Sequence, residues 1–495
     1  MWGPANRPFA TMLVAVAFVS GLAAGQTPAP SSPESRPSPE TPRLLTIRDS
    51  VGLALERNRA RPASRLSIEI AEAQLQQALS AYWPEVSLRA AATRLDHDPN
   101  FVFPPNSYEI AGQTVVVQTP IGPLPITVPP QSVQVPAQNV KLFDRDTLVG
   151  SLNAVYPLYT GGLRPSLARQ ARSGLEAARQ EVRRTDLQVV HDATRFHWGA
   201  VLSKRLAAIG SEALARMEVT LELTEGLYKG GSARVKKTDY LRNRTIVEAI
   251  RSAVVQFRTN EALALAALRT TIGLARETQI EVSEPEIPFH PVEAHLEKLV
   301  GAAYTFNPDW LQMEQGLKAA EARVDEKRAG HLPMLALVGQ LTRIGNSYDQ
   351  GIVTPENRTS WSVGLALDVP LFRGFRTEGE VREARARLGK LKEQEFLLRE
   401  GLALQVTDAV LRLAQSAAQQ TAMAEAARSA EEGRGLTERA YQAEMVDTKD
   451  MLEAQLMESV MMAGYQKVLF DHAEARSRLD LVVGAGVEAL LDARP

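Results

Sequence analysis

Few residues in this chain are spaced for chemistry. His191 and His197 are six positions apart, not the four that place two imidazoles on one helical face for a metal. The stretch GLYKGGSARVKKT, residues 226–238, has glycines and lysines but lacks the Gly-Lys-Ser/Thr ending of a phosphate loop, so it reads as a turn. There is no cysteine, which excludes thiol catalysis, disulfides, cysteine metal sites and a lipid-bearing cysteine. No nucleophile elbow is present. The expectation is a chain that is not an enzyme, with no cofactor and no bound metal. Asp450 and Glu453 are three apart and share a helical face. Such a pair suits the positive end of a helix, or a ring of negative charge if copies surround an axis. With 56 basic and 58 acidic residues, the chain has no surplus of positive charge for nucleic acid.

The elements that would hold these residues occur twice. VYPLYTGGLR at Val155 and DVPLFRGFR at Asp368 share Pro-Leu-aromatic-x-Gly at an offset of 213 residues. AEAQLQQALSAYWPEVSL at Ala71 and AEARVDEKRAGHLPMLAL at Ala320 align without a gap at 249, and Asn58 and Asn307 share that offset. LYKGGSARVKKTDYLRNR at Leu227 is answered by AYQAEMVDTKDMLEAQ at Ala440. Duplication explains the spacing without recourse to catalysis.

Each half reads as helix, strand, strand, long helix, turn and half-length helix. Residues 1–25 read as a signal peptide: Arg7, then an apolar run over 10–24 that is too short to span a bilayer, then small residues. A Pro/Ser-rich linker follows over 26–43. The first repeat covers 44–280, with strands 85–95 and 146–158, a long Pro-rich loop at 96–145 and a turn at 226–239. The second covers 281–490, with strands 334–345 and 359–371 and a turn at 441–453. Residues 164–225 have one proline, at their start, and read as a helix about 90–100 Å long. Residues 377–440 repeat it.

A proline is expected at each helix–strand junction: Pro84, Pro157, Pro333 and Pro370. Proline fixes φ and pushes the residue before it toward extended geometry. Tyr82, Trp83, Tyr156, Tyr159 and Phe372 stand at the same level, as an interfacial aromatic belt would. Four strands cannot close a barrel, and open edges are costly in lipid. Several copies could share one barrel, and three would supply twelve strands. Periodicity alone leaves the copy number open. It also leaves open a periplasmic coiled-coil adaptor or scaffold.

The duplicated order, PLYTGG with PLFRG, and the turns ending in TDYL and KDML resemble the TolC-type outer membrane efflux family over residues 44–490. The resemblance implies a mainly α fold with a transmembrane β part: a long α-helical barrel in the periplasm joined to a 12-stranded outer membrane β-barrel shared by a homotrimer. It implies an exit duct of a tripartite efflux or type I secretion system, working with a periplasmic adaptor and an inner-membrane pump, without an N-terminal lipid anchor. It also implies a gate at the two turns. There Gly230, Gly231 and Asp239, and then Tyr441, Asp450 and Glu453, match the family's pattern. Glu444 departs from it where a turn glycine is usual, and Val446 replaces a gate arginine.

Overall fold

The computed structural model describes residues 42–486, apart from 232–234, 349 and 444. The expected signal peptide, all but the last two residues of the linker, and Glu444 lie outside the described residues. The chain opens with β1 (Arg43–Leu45), α1 (Ile47–Arg57), α2 (Ala60–Ser80) and β2 (Glu85–Arg94). After a ribbon described below come β9 (Asp146–Tyr159), α3 (Leu163–Lys229) and α4 (Lys237–Thr271). A short β10 (Ile280–Val282) leads into the second half: α5 (Leu296–Phe306), α6 (Pro308–Arg328), β11 (Met334–Asn346), β12 (Thr359–Asp368), α7 (Arg376–Gln442) and α8 (Thr448–Val483). The long helices α3 and α7 each have 67 residues, about 100 Å at 1.5 Å per residue. Alanine, leucine, glutamate, glutamine and arginine dominate them, all good helix formers. Pro165 sits in the first turn of α3, where no helical N–H is lost.

Two shorter helices line each long one, and an asparagine joins them end to end. Asn58 Nδ2 donates to Thr271 O, the last carbonyl of α4, at 2.8 Å. Its Oδ1 accepts from Ala60 N at the start of α2, also at 2.8 Å. Asn307 repeats this arrangement: Nδ2 donates to Val482 O at 2.7 Å, and Oδ1 accepts from Asp309 N at 2.8 Å and Trp310 N at 3.1 Å. One side chain thus satisfies the end of one helix and the start of the next. Gly273 and Gly484 follow the ends of α4 and α8 with φ of 69° and 84°. A Cβ on Gly273 would lie 2.6 Å from Arg57 O, and one on Gly484 would strike Phe306 O. The same close approach is built twice, and only glycine fits it.

The apolar cores flank these joints. In the first half Leu53, Val201, Leu268 and Ile272 are buried together; in the second, Leu299, Val406, Leu413 and Leu479. The first core contains a polar chain. Ser50 Oγ lies 2.9 Å from His197 Nδ1, and His197 Nε2 lies 3.0 Å from Glu284 Oε2. Glu284 Oε1 accepts from Ile47 N at 2.8 Å. Burial holds the His197 imidazole below the ordinary histidine range, against the pull of Glu284. Burial would raise Glu284, but the Ile47 N–H and the neighbouring imidazole outweigh it and hold the carboxyl low. We therefore read His197 as neutral, donating through Nε2 and accepting from Ser50 at Nδ1. Burial also holds His191 and His472 low.

Two measurements follow from this core. Asn307→Ala removes a buried cap and strands a carbonyl, so it should cost about 2–3 kcal/mol in thermal or denaturant unfolding. Asn307→Asp keeps the cap but turns an acceptor on Val482 O, so it should lose stability as well. For the histidines, the unfolded chain binds protons near the ordinary value of 6.5 that the folded chain refuses. Stability should fall as pH drops through that value, and the depressed Glu284 adds to the loss at lower pH. His197→Gln should flatten the dependence of unfolding temperature on pH between about 7 and 5. An unchanged slope would mean that His197 is not among the groups responsible.

Candidate functional site: the four-stranded sheet and the hairpin ends

The four long strands form one antiparallel sheet in the order β12-β11-β9-β2. The two repeats meet at its centre, where β9 pairs with β11 over Thr147 to Tyr159. Register aligns the apolar alternation of all four strands. Leu88 pairs with Leu152, Leu152 with Leu341, and Leu341 with Trp361. Val86, Ala154, Gly339 and Val363 form the next row on the same face. The other face carries Ser87, Asn153, Gln340 and Ser362, again in one row. The apolar face is open to its surroundings, with Leu88 at 76% and Trp361 at 77% exposure. Among the described residues the outer edges of β2 and β12 have no strand partner. Among the described residues no helix is long and apolar enough to cross a membrane.

The junction between sheet and helix explains the phrase that occurs twice. Pro84 and Pro333 immediately precede β2 and β11, and Pro370 follows β12. Pro157 does not mark a junction: it lies inside β9, which runs on to Tyr159. The reason is a bulge. Ala336 pairs with Pro157 and Leu335 with Tyr159, so Leu158 is an extra residue and pairing continues past the proline. Arg164, the last residue of VYPLYTGGLR, folds back. Its Nη1 donates to Pro157 O at 2.7 Å and its Nη2 to Leu158 O at 3.0 Å. The guanidinium also lies over the Tyr82 ring, 5.0 Å from its centroid. Gly161 and Gly374 occupy equivalent turns, both at φ 61°. Next to them, Gly162 has φ 91° and Phe375 has φ 60°; the latter is a left-handed position held by an aromatic residue against Phe372, 5.4 Å between centroids.

Residues 96–145, expected to be a loop, are largely a two-stranded ribbon in three tiers. β3 (Asn100–Phe103) pairs with β8 (Gln138–Lys141), β4 (Asn106–Ile110) with β7 (Gln131–Val135), and β5 (Gln113–Thr119) with β6 (Gly122–Val128). The prolines that suggested a loop are concentrated at the breaks between tiers, as at Pro104–Pro105 and Pro129–Pro130. Between the breaks, β-branched residues pair in register.

The gate candidates sit at the far ends of the helical hairpins. Asp239 Oδ2 accepts from Lys236 N at 3.0 Å, and Asp450 Oδ2 from Asp447 N at 3.3 Å. Each carboxylate thus caps the first turn of its helix by accepting from the backbone N–H three residues before it. Glu453 is exposed one turn further along α8. Tyr441 Oη lies 3.2 Å from Thr448 Oγ1 and ties the end of α7 to the start of α8. Gly230 bonds Gly226 O, and Gly231 turns the chain at φ 78°. Gly230, Gly231 and Asp239 belong to one hairpin end, and Tyr441, Asp450 and Glu453 to the other. Sequence reasoning overlooked Tyr228, which stacks on Tyr240 at 5.9 Å. The signal was present, because Tyr228 precedes Tyr441 by the same 213 residues that separate Pro157 from Pro370. It also overlooked Glu458, a buried carboxylate that accepts from Arg216 at 3.1 Å and forms an ion pair with Arg434 at 2.9 Å, and so joins α3 and α7 to α8.

The paired glycines give a direct contrast. A Cβ on Gly161 would lie 2.6 Å from Leu332 Cβ, whereas one on Gly374 meets nothing within 4 Å. Both substitutions to alanine incur the left-handed cost of about 1–2 kcal/mol. Gly161→Ala adds an overlap of about 1–3 kcal/mol. Thermal unfolding should therefore rank Gly161→Ala well below Gly374→Ala; equal midpoints would contradict the packing at Leu332.

Comparison with known proteins agrees with this construction. Residues 299–485 match the model of the outer membrane efflux protein family. The chain is 22% identical over 347 residues to Nodulation protein T of Rhizobium leguminosarum bv. trifolii, covering 70% of this chain and 73% of that one. It is 27% identical over 265 residues to Protein CyaE of Bordetella pertussis, covering 50% of this chain and 52% of that one. The fold is that of the Campylobacter jejuni CmeC outer membrane channel, with a TM-score of 0.70 at 15% identity, over 89% of this chain and 86% of that one. The coiled-coil adaptor or scaffold reading is set aside. The second half of the chain matches the outer membrane efflux protein family, and the chain as a whole has the fold of the TolC-type outer membrane channels.

Proposed function

We propose that this channel is the passive exit duct of a tripartite efflux or type I secretion system. Three copies close one twelve-stranded barrel in the outer membrane, and their helices stand below it in the periplasm. A periplasmic adaptor joins the duct to an inner-membrane pump that supplies the energy. The observation that carries this reading is the sheet: one apolar face, one polar face and two open edges. Unpaired backbone groups in lipid cost several kcal/mol each, so the edges of β2 and β12 need partners. Successive strands are antiparallel, so β2 and β12 run in opposite directions. The β12 of one copy therefore meets the β2 of the next in the same antiparallel sense. The apolar face turns to lipid and the Ser/Asn/Gln face to a wet lumen. The expected signal peptide at 1–25 agrees with export to that membrane.

The hairpin ends form the periplasmic mouth in this reading. Asp450 and Glu453 from three copies make two rings of carboxylate about the axis. In water such rings hold a singly charged solute weakly and a trivalent cation far more strongly.

Light scattering on detergent-extracted particles, with the detergent mass subtracted, should give three protomers; a single protomer would remove the shared barrel. In planar bilayers, Asp450→Asn with Glu453→Gln should weaken block by a trivalent cation by about tenfold or more. Asparagine keeps an acceptor for the Asp447 N–H, so the turn itself is preserved. Unchanged block in a trimeric particle would place the cation site elsewhere and leave the duct intact.

A further inference from the structure

The ribbon over residues 100–141 has no counterpart in the second repeat: Pro84 and Pro157 are 36 residues further apart than Pro333 and Pro370. Each of its tiers has an apolar and a more polar side. In the outermost tier Val115, Val117, Leu124 and Ile126 share one face, while Thr114, Gln118 and Thr127 lie on the other with Val116. In the middle tier Tyr108 and Val133 oppose Glu109 and Ser132 across the sheet plane. All these apolar residues are exposed within the chain. An isolated two-stranded ribbon is marginal in water, and a flat uncharged one invites pairing.

Its base, by contrast, is fixed. Lys141 Nζ lies 2.8 Å from Asp98 Oδ2 and 3.5 Å from Asp144 Oδ1. Leu142 N bonds Pro99 O, and Leu142 O accepts from Ile352 N in the β11–β12 loop, both at 2.8 Å. The ribbon therefore leaves the sheet in a set direction.

We propose that the apolar faces of this ribbon are an interaction surface for the other copies of the chain, three ribbons packing around the axis above the barrel mouth. This rests on the trimeric reading above. The ribbon joins β9 to β2, and β2 is the edge strand that must receive the next copy, so one of its two legs stands at the boundary between protomers. Its charge points to the same occupant. Between residues 99 and 140 only Glu109 is charged, which offers nothing to a charged partner or an anionic headgroup. Its reach is ample. Roughly twenty residues per strand span about 65 Å, whereas a twelve-stranded barrel has a radius of about 12 Å.

The chain contains no cysteine, so single thiols report cleanly. The full chain carrying Val117→Cys, extracted as intact particles, is treated with a short bis-maleimide, alongside Gln118→Cys on the opposite face. Apolar faces packed against one another lie about 10 Å apart, so Val117→Cys should give about tenfold or more linked dimer than Gln118→Cys. Both positions are exposed within the chain, so neither variant disturbs its packing. Trimeric particles with no link from Val117→Cys, or equal links from both, overturn the packed ribbons and leave the shared barrel standing. Single-protomer particles overturn both.

Discussion

A helix that stops inside a protein leaves its last carbonyls without partners, and one that starts there leaves its first N–H groups bare. This fold does both at each of its joints, and asparagine resolves them together. Asn58 and Asn307 each give an N–H to the end of one helix and an oxygen to the start of another. The short helices thereby become a column beside each 67-residue helix. Without that bond, neither α2 with α4 nor α6 with α8 would match the height of its neighbour. The left-handed glycines at 273 and 484 admit the close approach that the bond requires. The two cores then fill in around the joints.

The sheet meets a different demand. Soluble antiparallel sheets bury the apolar face; here it is left open, as is the other side that carries the Ser/Asn/Gln rows. The transition from sheet to helix also needs its carbonyls satisfied. Arg164 does this by reaching back to the carbonyls of Pro157 and Leu158. At the equivalent turn of the second repeat an aromatic pair, Phe372 and Phe375, packs instead. The repeated phrase thus conserves a backbone turn, and each half stabilises it in its own way.

Much of this was legible because duplication doubles every local signal. The two long helices, the half-length helices and the alternation of β2, β11 and β12 could be read from single segments. Asn58 and Asn307 announced themselves by a shared offset, although their dual bonding required coordinates. What escaped depends on partners distant in sequence. Pro157 looks like a boundary until the bulge in its pairing with β11 is seen. Glu458 is an ordinary helical glutamate until Arg216, 242 residues away, reaches it. The ribbon was hidden by its prolines, which mark the breaks between tiers and mask the strands between them. At the candidate mouth the residue types and the hairpin ends were readable. The backbone bonds that Asp239 and Asp450 accept were not, because they depend on the turn that precedes each helix.

An even number of strands has an arithmetic consequence. Each chain begins and ends its sheet with strands of opposite direction, so two, three or four copies would all alternate correctly on closing. Hydrogen bonding between copies therefore carries no count. In a shared barrel the count would have to be set by angle: the four helical columns of one chain would act as a wedge, and the number of wedges that fills a circle would be the number of chains. Bulk along those columns, and not any bond in the sheet, would decide the bore of the assembly.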